Sequence, residues 1–187
     1  MNATTELFKT QYEKLAGKVH FAASLKAAAE IVEKIATDSA ANKAVFGPLS
    51  DDLEKRLHAK FRANGFPVVA IDTAKNAIAD QINQADLGIS AVQFGIAETG
   101  TIVEVAENDS DRLISSLPRV HIAFLQAAQI ISSIVEAAPL LREIYQRHDK
   151  YCNITFISGP SRTADIEMKL FLGVHGPQES HVILCDF

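Results

Sequence analysis

Apolar residues recur at helical spacing along the first part of the chain. Residues 6–15 predict an amphipathic helix, and Ser24 is placed to cap a second over 25–36, where Ala28, Ile31, Val32 and Ile35 form one core-facing stripe. "KAVFG" then reads as a short buried strand. "PLSDDLEKRLHAKFRANG" reads as a helix with Ser50 as its cap, Asp51 and Asp52 favouring its positive end, Leu53, Leu57 and Phe61 turned inward, and Gly65 as its stop. "FPVVAI" is the next strand and 76–84 a further helix. "DLGISAVQF", a glycine-rich turn and "GTIVEV" predict a strand that doubles back as an antiparallel hairpin. A short helix over 111–117, stopped by Pro118, leads to the strand "RVHIAFL", and helical character resumes over 129–147, with Pro139 expected to divide it. "NITFIS", a Pro-Ser-Arg turn, a helix from about 164 to 172 and the strand "SHVILCD" complete the pattern.

Strands alternating with helices predict an α/β fold, with a mostly parallel sheet flanked by helices and a β-hairpin. At 187 residues, 48% hydrophobic and 22% charged, the chain fits a single domain, with a helical segment over about 1–40. A net charge of -5, with lysines and arginines scattered, speaks against nucleic-acid binding, which needs clustered cations to neutralise phosphates. "MNATTELFKTQYEK" has neither the basic start nor the apolar stretch of a signal peptide. The apolar stretch 122–135 is broken by Gln126, Gln129, Ser132 and Ser133 and is shorter than the roughly 18 residues of a membrane span, so a cytoplasmic location is expected. Two cysteines, Cys152 and Cys185, without a CxxC or Cys/His cluster, supply no iron–sulfur or structural zinc ligand set. No metal or cofactor is expected.

The candidate chemistry lies in two segments. In "ISGPSRTADIE", Gly159 and Pro160 shape a turn, Ser161 and Thr163 can cap or bind, and Arg162 offers a planar fork to a carboxylate or phosphate. At a strand's carboxyl end, before a helix, this turn would be a small-anion site. Asp165 and Glu167 would favour the helix start, and they could instead pair Arg162 and make the motif a capped turn. "GIAETG" has the glycine spacing of a phosphate loop, but Thr101 and Ile102 follow where that motif needs Lys then Ser or Thr, so nucleotide binding is not indicated. Glu98, among Ile96, Ala97, Ile102 and Val103, is either a solvated hairpin tip or a carboxylate held in a cleft. His121 and His175 are candidate acid–base groups or structural histidines, and His175 stands between Gly173 and Gly176. The two segments are expected to line one cleft, with Glu98 and Arg162 in it.

The order "GIAETGTIV", "LPRVHI", "SGPSRTADIE" and "GVHGP" resembles the LUD (lactate utilization) domain family, and within it the lactate utilization protein C group. The resemblance covers most of the chain. It implies a fold similar to the NagB/RpiA/CoA-transferase group and a role in oxidising L-lactate to pyruvate beside iron–sulfur subunits. The ligand-binding candidates are Thr99, Gly100, Thr101, Gly159, Pro160, Ser161, Arg162, Thr163, Asp165, Glu167, His175 and Gly176. The alternative is a CoA-transferase-like or phosphosugar-handling enzyme with Glu98 as its catalytic group, by analogy with transferases that use a glutamate near a glycine.

Overall fold

The computed structural model describes residues 2–74, 77–148, 152–164 and 170–187; of 163, 164 and 170–172 only the backbone is described. Asn2 and Ser24 accept the backbone N–H of Thr5 and Ala27 and so start α1 (Ala3–Lys14) and α2 (Leu25–Asp38). Between them runs β1 (Lys18–Ala22), which the pattern did not predict. It lies at a sheet edge and is half exposed, so its sequence lacks a buried strand's apolar run.

β2 (Ala44–Phe46), α3 (Asp51–Ala63) and β3 (Val68–Val69) follow as expected, except that the Ser50 side chain makes no capping bond. The acidic first turn of α3, with Asp51, Asp52 and Glu54, favours the helix start instead. The helix expected over 76–84 is α4 (Ile78–Ile82), and Asn76 lies outside the described residues. "DLGISAVQF" is two strands rather than one: β4 (Leu87–Ala91) and β5 (Phe94–Ile96) belong to different sheets. The crossing is fixed where Val92 donates to the Phe124 carbonyl and Gln93 to the Val103 carbonyl.

The predicted hairpin is present, with β5 antiparallel to β6 (Thr101–Ala106). α5 (Asp109–Ile114), capped by Asn108, starts before the predicted 111, and β7 (Val120–Gln126) follows it. Helix was expected over all of 129–147. Instead the chain forms a 3-10 turn, β8 (Ile130–Ile131) and a second 3-10 turn closed by a Ser133–Glu136 capping box, and only then α6 (Ala137–Arg147). Pro139 does not divide a helix. It occupies the first turn of α6, where a missing N–H costs nothing.

After β9 (Asn153–Ile157) comes a second correction. The expected helix over 164–172 is replaced at both ends by strand: β10 (Arg162–Ala164) pairs antiparallel with β11 (Leu170–Leu172), and the intervening 165–169 lie outside the described residues. Thr163, Phe171 and the alternating Leu170 and Leu172 suit a ribbon better than a helix. β12 (Glu179–Cys185) closes the chain.

The large sheet has six strands, all parallel, in the order β1-β12-β7-β4-β2-β3. Its period-2 alternation sorts the faces. Val120, Ile122, Phe124 and Ile183 pack against Ala28, Val32 and Ile35 of α2 and Leu53, Leu57 and Phe61 of α3. Ala123, Leu125, Val182 and Leu184 face the other way, onto Phe8 and Tyr12 of α1 and Ile102 of β6. The second sheet, β8-β5-β6-β9, therefore lies over this face, and α6 covers its outer side through Leu140, Leu141 and Ile144. The fold is α/β, as predicted. Residues of β6 at the middle of this stack are buried on both sides.

Candidate functional site

Two turns of the second sheet meet beneath α1. The Thr101 hydroxyl bonds Thr99 at 2.7 Å and Ser158 at 2.8 Å, tying the "GIAETG" turn to the start of "SGPSR". Gly100 has φ +59°, and a Cβ there would lie 2.5 Å from the backbone of Gln11 and Tyr12. Gly159 has φ +84° and would meet the Leu15 carbonyl at 2.6 Å. Glycine is needed at both positions because α1 lies against the turns. Tyr12 adds a further tie. Its hydroxyl bonds Ser180 at 2.6 Å and the Gly159 backbone, and burial pushes it up to about 12.

From this junction a cleft of about 450 Å3 runs along the free edge of β9. One wall is Asn153 with 155–161. The other is Arg112, Ser115 and Ser116 at the end of α5, with His175, Gly176 and Pro177. Ser161 donates its N–H to the Pro177 carbonyl at 2.8 Å and accepts from Gly173 at 2.9 Å, which holds the walls together. A Cβ on Gly176 would touch Ser161 Cβ at 3.1 Å. Of the predicted residues, Gly159, Pro160, Ser161, His175 and Gly176 therefore share one cleft.

The others are placed differently. Thr99, Gly100 and Thr101 sit at the junction. Arg162, exposed, follows Ser161 into β10. Thr163 is described at the backbone alone, and Asp165 and Glu167 lie outside the described residues. The turn follows the carboxyl end of β9, which pairs antiparallel with β6 at the edge of the smaller mixed sheet, and leads into a strand; the strand-to-helix setting expected for the anion site is absent. Glu98 is exposed at the hairpin tip. Its carboxylate accepts the Ile134 N–H at 3.1 Å, and it is not part of the cleft wall. A separate cavity of about 490 Å3 at the carboxyl ends of β1, β7 and β12, lined by Phe21, Ala22, Ala127, Leu184 and Asp186, contains none of the predicted residues.

Behind Ser115 lies a group the sequence reading passed over. Glu104 of β6 is 4% exposed, and its oxygens accept from Ser90 at 2.9 Å and from Ser115 at 2.6 Å. Burial raises its pKa, the two hydroxyls lower it, and nearby Asp111 raises it again. Ser90 also bonds Nε2 of His121 at 3.0 Å. His121 is fully buried and held down to about 4 by burial and by His181, and its Nδ1 has no partner among the described residues. A signal for Glu104 was present. It alternates with Val103 and shares the face of Ile102, so an acid had to point at the large sheet.

Among the described residues no group of three or more His, Cys, Asp or Glu could hold a metal ion, and no helix is long and apolar enough to cross a membrane. Comparison with known proteins adds the family. Over 107 residues the chain is 37% identical to lactate utilization protein C of Shouchella clausii, a match covering 57% of this chain and 47% of that protein. Over 109 residues it is 39% identical to lactate utilization protein C of a Geobacillus species, covering 57% and 45%. The aligned part thus spans about half the length of these curated relatives. A crystal structure of a DUF162 family protein from Deinococcus radiodurans superposes with a TM-score of 0.65 at 18% identity, covering 98% of this chain and 96% of that one, and so shares the fold. The LUD domain model matches residues 5–185, and the chain belongs to the LUD domain family.

Proposed function

We propose that the chain is a cytoplasmic component of a lactate-utilization system that oxidises L-lactate to pyruvate, and that it holds a small carboxylate or phosphate in the cleft beside β9. The observation that carries this reading is the junction of 158–161 with 175–177, two motif segments distant in sequence, around one polar space of about 450 Å3. Its rim carries the hydroxyls of Ser115, Ser116, Thr155, Ser158 and Ser161 with Arg112 and His175. Ser115, Ser116 and Thr155 donate to Glu104, the Arg112 carbonyl and Asn153, Ser158 bonds Thr101, and Arg112 Nε pairs Asp109. An oxyanion would therefore be received by Ser161 and His175 and by exchange of those internal bonds. Arg162, next to Ser161 at the start of β10 and exposed, lies outside the residues that line the cleft and is assigned to the ligand through this adjacency. Electron transfer falls to iron–sulfur subunits, because this chain has only two cysteines and no clustered set.

The names of the matched relatives support the pathway and leave the ligand to be measured. Isothermal titration of the purified chain with pyruvate, L-lactate and inorganic phosphate tests the cleft. Saturable binding that weakens in Arg162→Ala supports it, and absence of binding to all three removes it. Copurification of the tagged chain from lactate-grown cells tests the assembly, and recovery without any iron–sulfur protein would count against it. The acyl-transfer alternative gains no comparable support, since Glu98 is solvated and occupied by a backbone amide.

A further inference from the structure

Glu104 is a buried acid whose described hydrogen-bond partners are two hydroxyls, and one of these, Ser115, forms part of the cleft wall. Each hydroxyl has a single proton. When Glu104 is ionised, Ser115 donates to Oε2 and has only lone pairs to offer elsewhere. When Oε2 is protonated, the acid becomes the donor, and the Ser115 proton is released to the cleft or to the Arg112 carbonyl, 3.2 Å away. An anion in the cleft is therefore disfavoured twice by an ionised Glu104. It feels the charge directly, across a poorly solvated layer, and it loses a donor.

We infer that Glu104 is the proton store of this cleft, taking one proton from solvent when an anion binds and turning the Ser115 hydroxyl toward the ligand. This rests on the reading of the cleft as an anion site. No bond other than O–H is made, and one proton moves from buffer to Glu104 Oε2 per ligand bound. The groups facing Glu104 fit the role. Asp111 on α5 is a like charge, Thr155 lies opposite on β9, Ser90 lies on β4, and His121 on β7 is reached through Ser90. Burial and the Asp111 charge already draw the acid upward, so a further negative charge acts on a group poised to accept a proton.

Titration calorimetry with pyruvate, a carboxylate throughout the neutral range, in buffers of different ionisation enthalpy measures the proton directly. Wild-type chain is expected to take up a fraction of a proton approaching one, and its affinity to fall by up to about tenfold per pH unit as pH rises through the Glu104 titration. Glu104→Gln should bind without uptake and with pH-independent affinity. Ser115→Ala, which leaves the acid in place, should bind more weakly and with less uptake, because the direct charge coupling remains while the hydroxyl relay is gone. Thermal melts verify that both variants fold, and the wild-type pH series stands without them. Pyruvate binding with no proton uptake, or uptake that survives in Glu104→Gln, overturns the role of Glu104 and leaves the cleft standing. If pyruvate, L-lactate and phosphate all fail to bind wild type, the cleft itself falls, and this inference with it.

Discussion

Thr101 and Ser158 meet hydroxyl to hydroxyl at 2.8 Å across the β6–β9 edge, so the two motif turns form one piece of structure. Thr101 is 4% exposed and also bonds Thr99. Thr101→Val keeps the shape and removes both bonds. At a net value near 1 kcal/mol each for such bonds, it should destabilise the fold by about 1–2 kcal/mol in chemical denaturation. Unchanged stability would mean that the hydroxyl chain does not hold the turns.

Gly100 and Gly65 share a left-handed backbone, φ +59° and +64°, but not a neighbourhood. A Cβ on Gly100 meets α1 backbone at 2.5 Å, whereas one on Gly65 has nothing within 4 Å. Gly65→Ala should cost about 1 kcal/mol, for strain alone. Gly100→Ala adds overpacking of roughly 1–3 kcal/mol and should displace α1. Equal losses in urea denaturation would contradict the close approach.

The helix and strand order of the parallel sheet was legible apart from its edge strand β1, because α2, α3, β4, β7 and β12 have strong periodicity or apolar runs, whereas half-exposed β1 has neither. It failed where pairing decides. Residues 129–136 have helical spacing, yet Ile130 and Ile131 are claimed by β5 as a parallel partner. Residues at 162–164 and 170–172 pair with each other instead of coiling. At the site, the turn glycines, Ser161 and His175 were readable from their motifs. Glu104 was signalled only by its place on the inward face of β6, and its partners Ser90 and Ser115 were not readable, since these strand and helix-end residues become neighbours only once β4, β6 and α5 are packed.

His121 and His181 make the fold acid-sensitive. Burial comes first in holding each near 4, helped by His181 at His121 and by Lys18 at His181, against an ordinary 6.5. The unfolded chain therefore binds protons between about pH 6.5 and 4 that the folded chain refuses. Their stabilisation is fully present above that window and is lost as pH falls through it, at up to about 1.4 kcal/mol per pH unit for each histidine. Glu104, raised in the fold, has the opposite sign and partly offsets the loss at the acid end. Denaturant titrations from pH 7 to 5 should show the slope, and His121→Gln should remove about half of it. A flat profile in wild type would contradict the burial of both rings.

The chain purified alone should contain no stoichiometric iron. Cys185 is buried and its thiol is pushed up to about 11 by burial, and neither cysteine joins a group of three or more possible metal ligands among the described residues. Iron retained at one equivalent after chelation, measured by plasma emission, would overturn the division of labour proposed with the iron–sulfur subunits.

Arg162 decides whether the "SGPSR" turn serves a ligand or only the fold. It follows Ser161, which forms part of the cleft, and its exposed side chain belongs to a short two-stranded ribbon. A charge-assisted hydrogen bond to a bound oxyanion contributes roughly 1.5–3 kcal/mol, so Arg162→Ala should weaken pyruvate or phosphate binding about tenfold to a hundredfold. Arg162→Lys should restore only part of this, because an ammonium keeps the charge and loses the fork that matches two oxygens. Thermal stability should hardly move in either variant, as expected for an exposed side chain. If Arg162 instead serves a surface ion pair, affinity stays at the wild-type value in both variants and stability falls by at most about 1 kcal/mol. Unchanged affinity in both would take Arg162 out of the site and leave the ligand to the hydroxyls, Arg112 and His175 of the cleft.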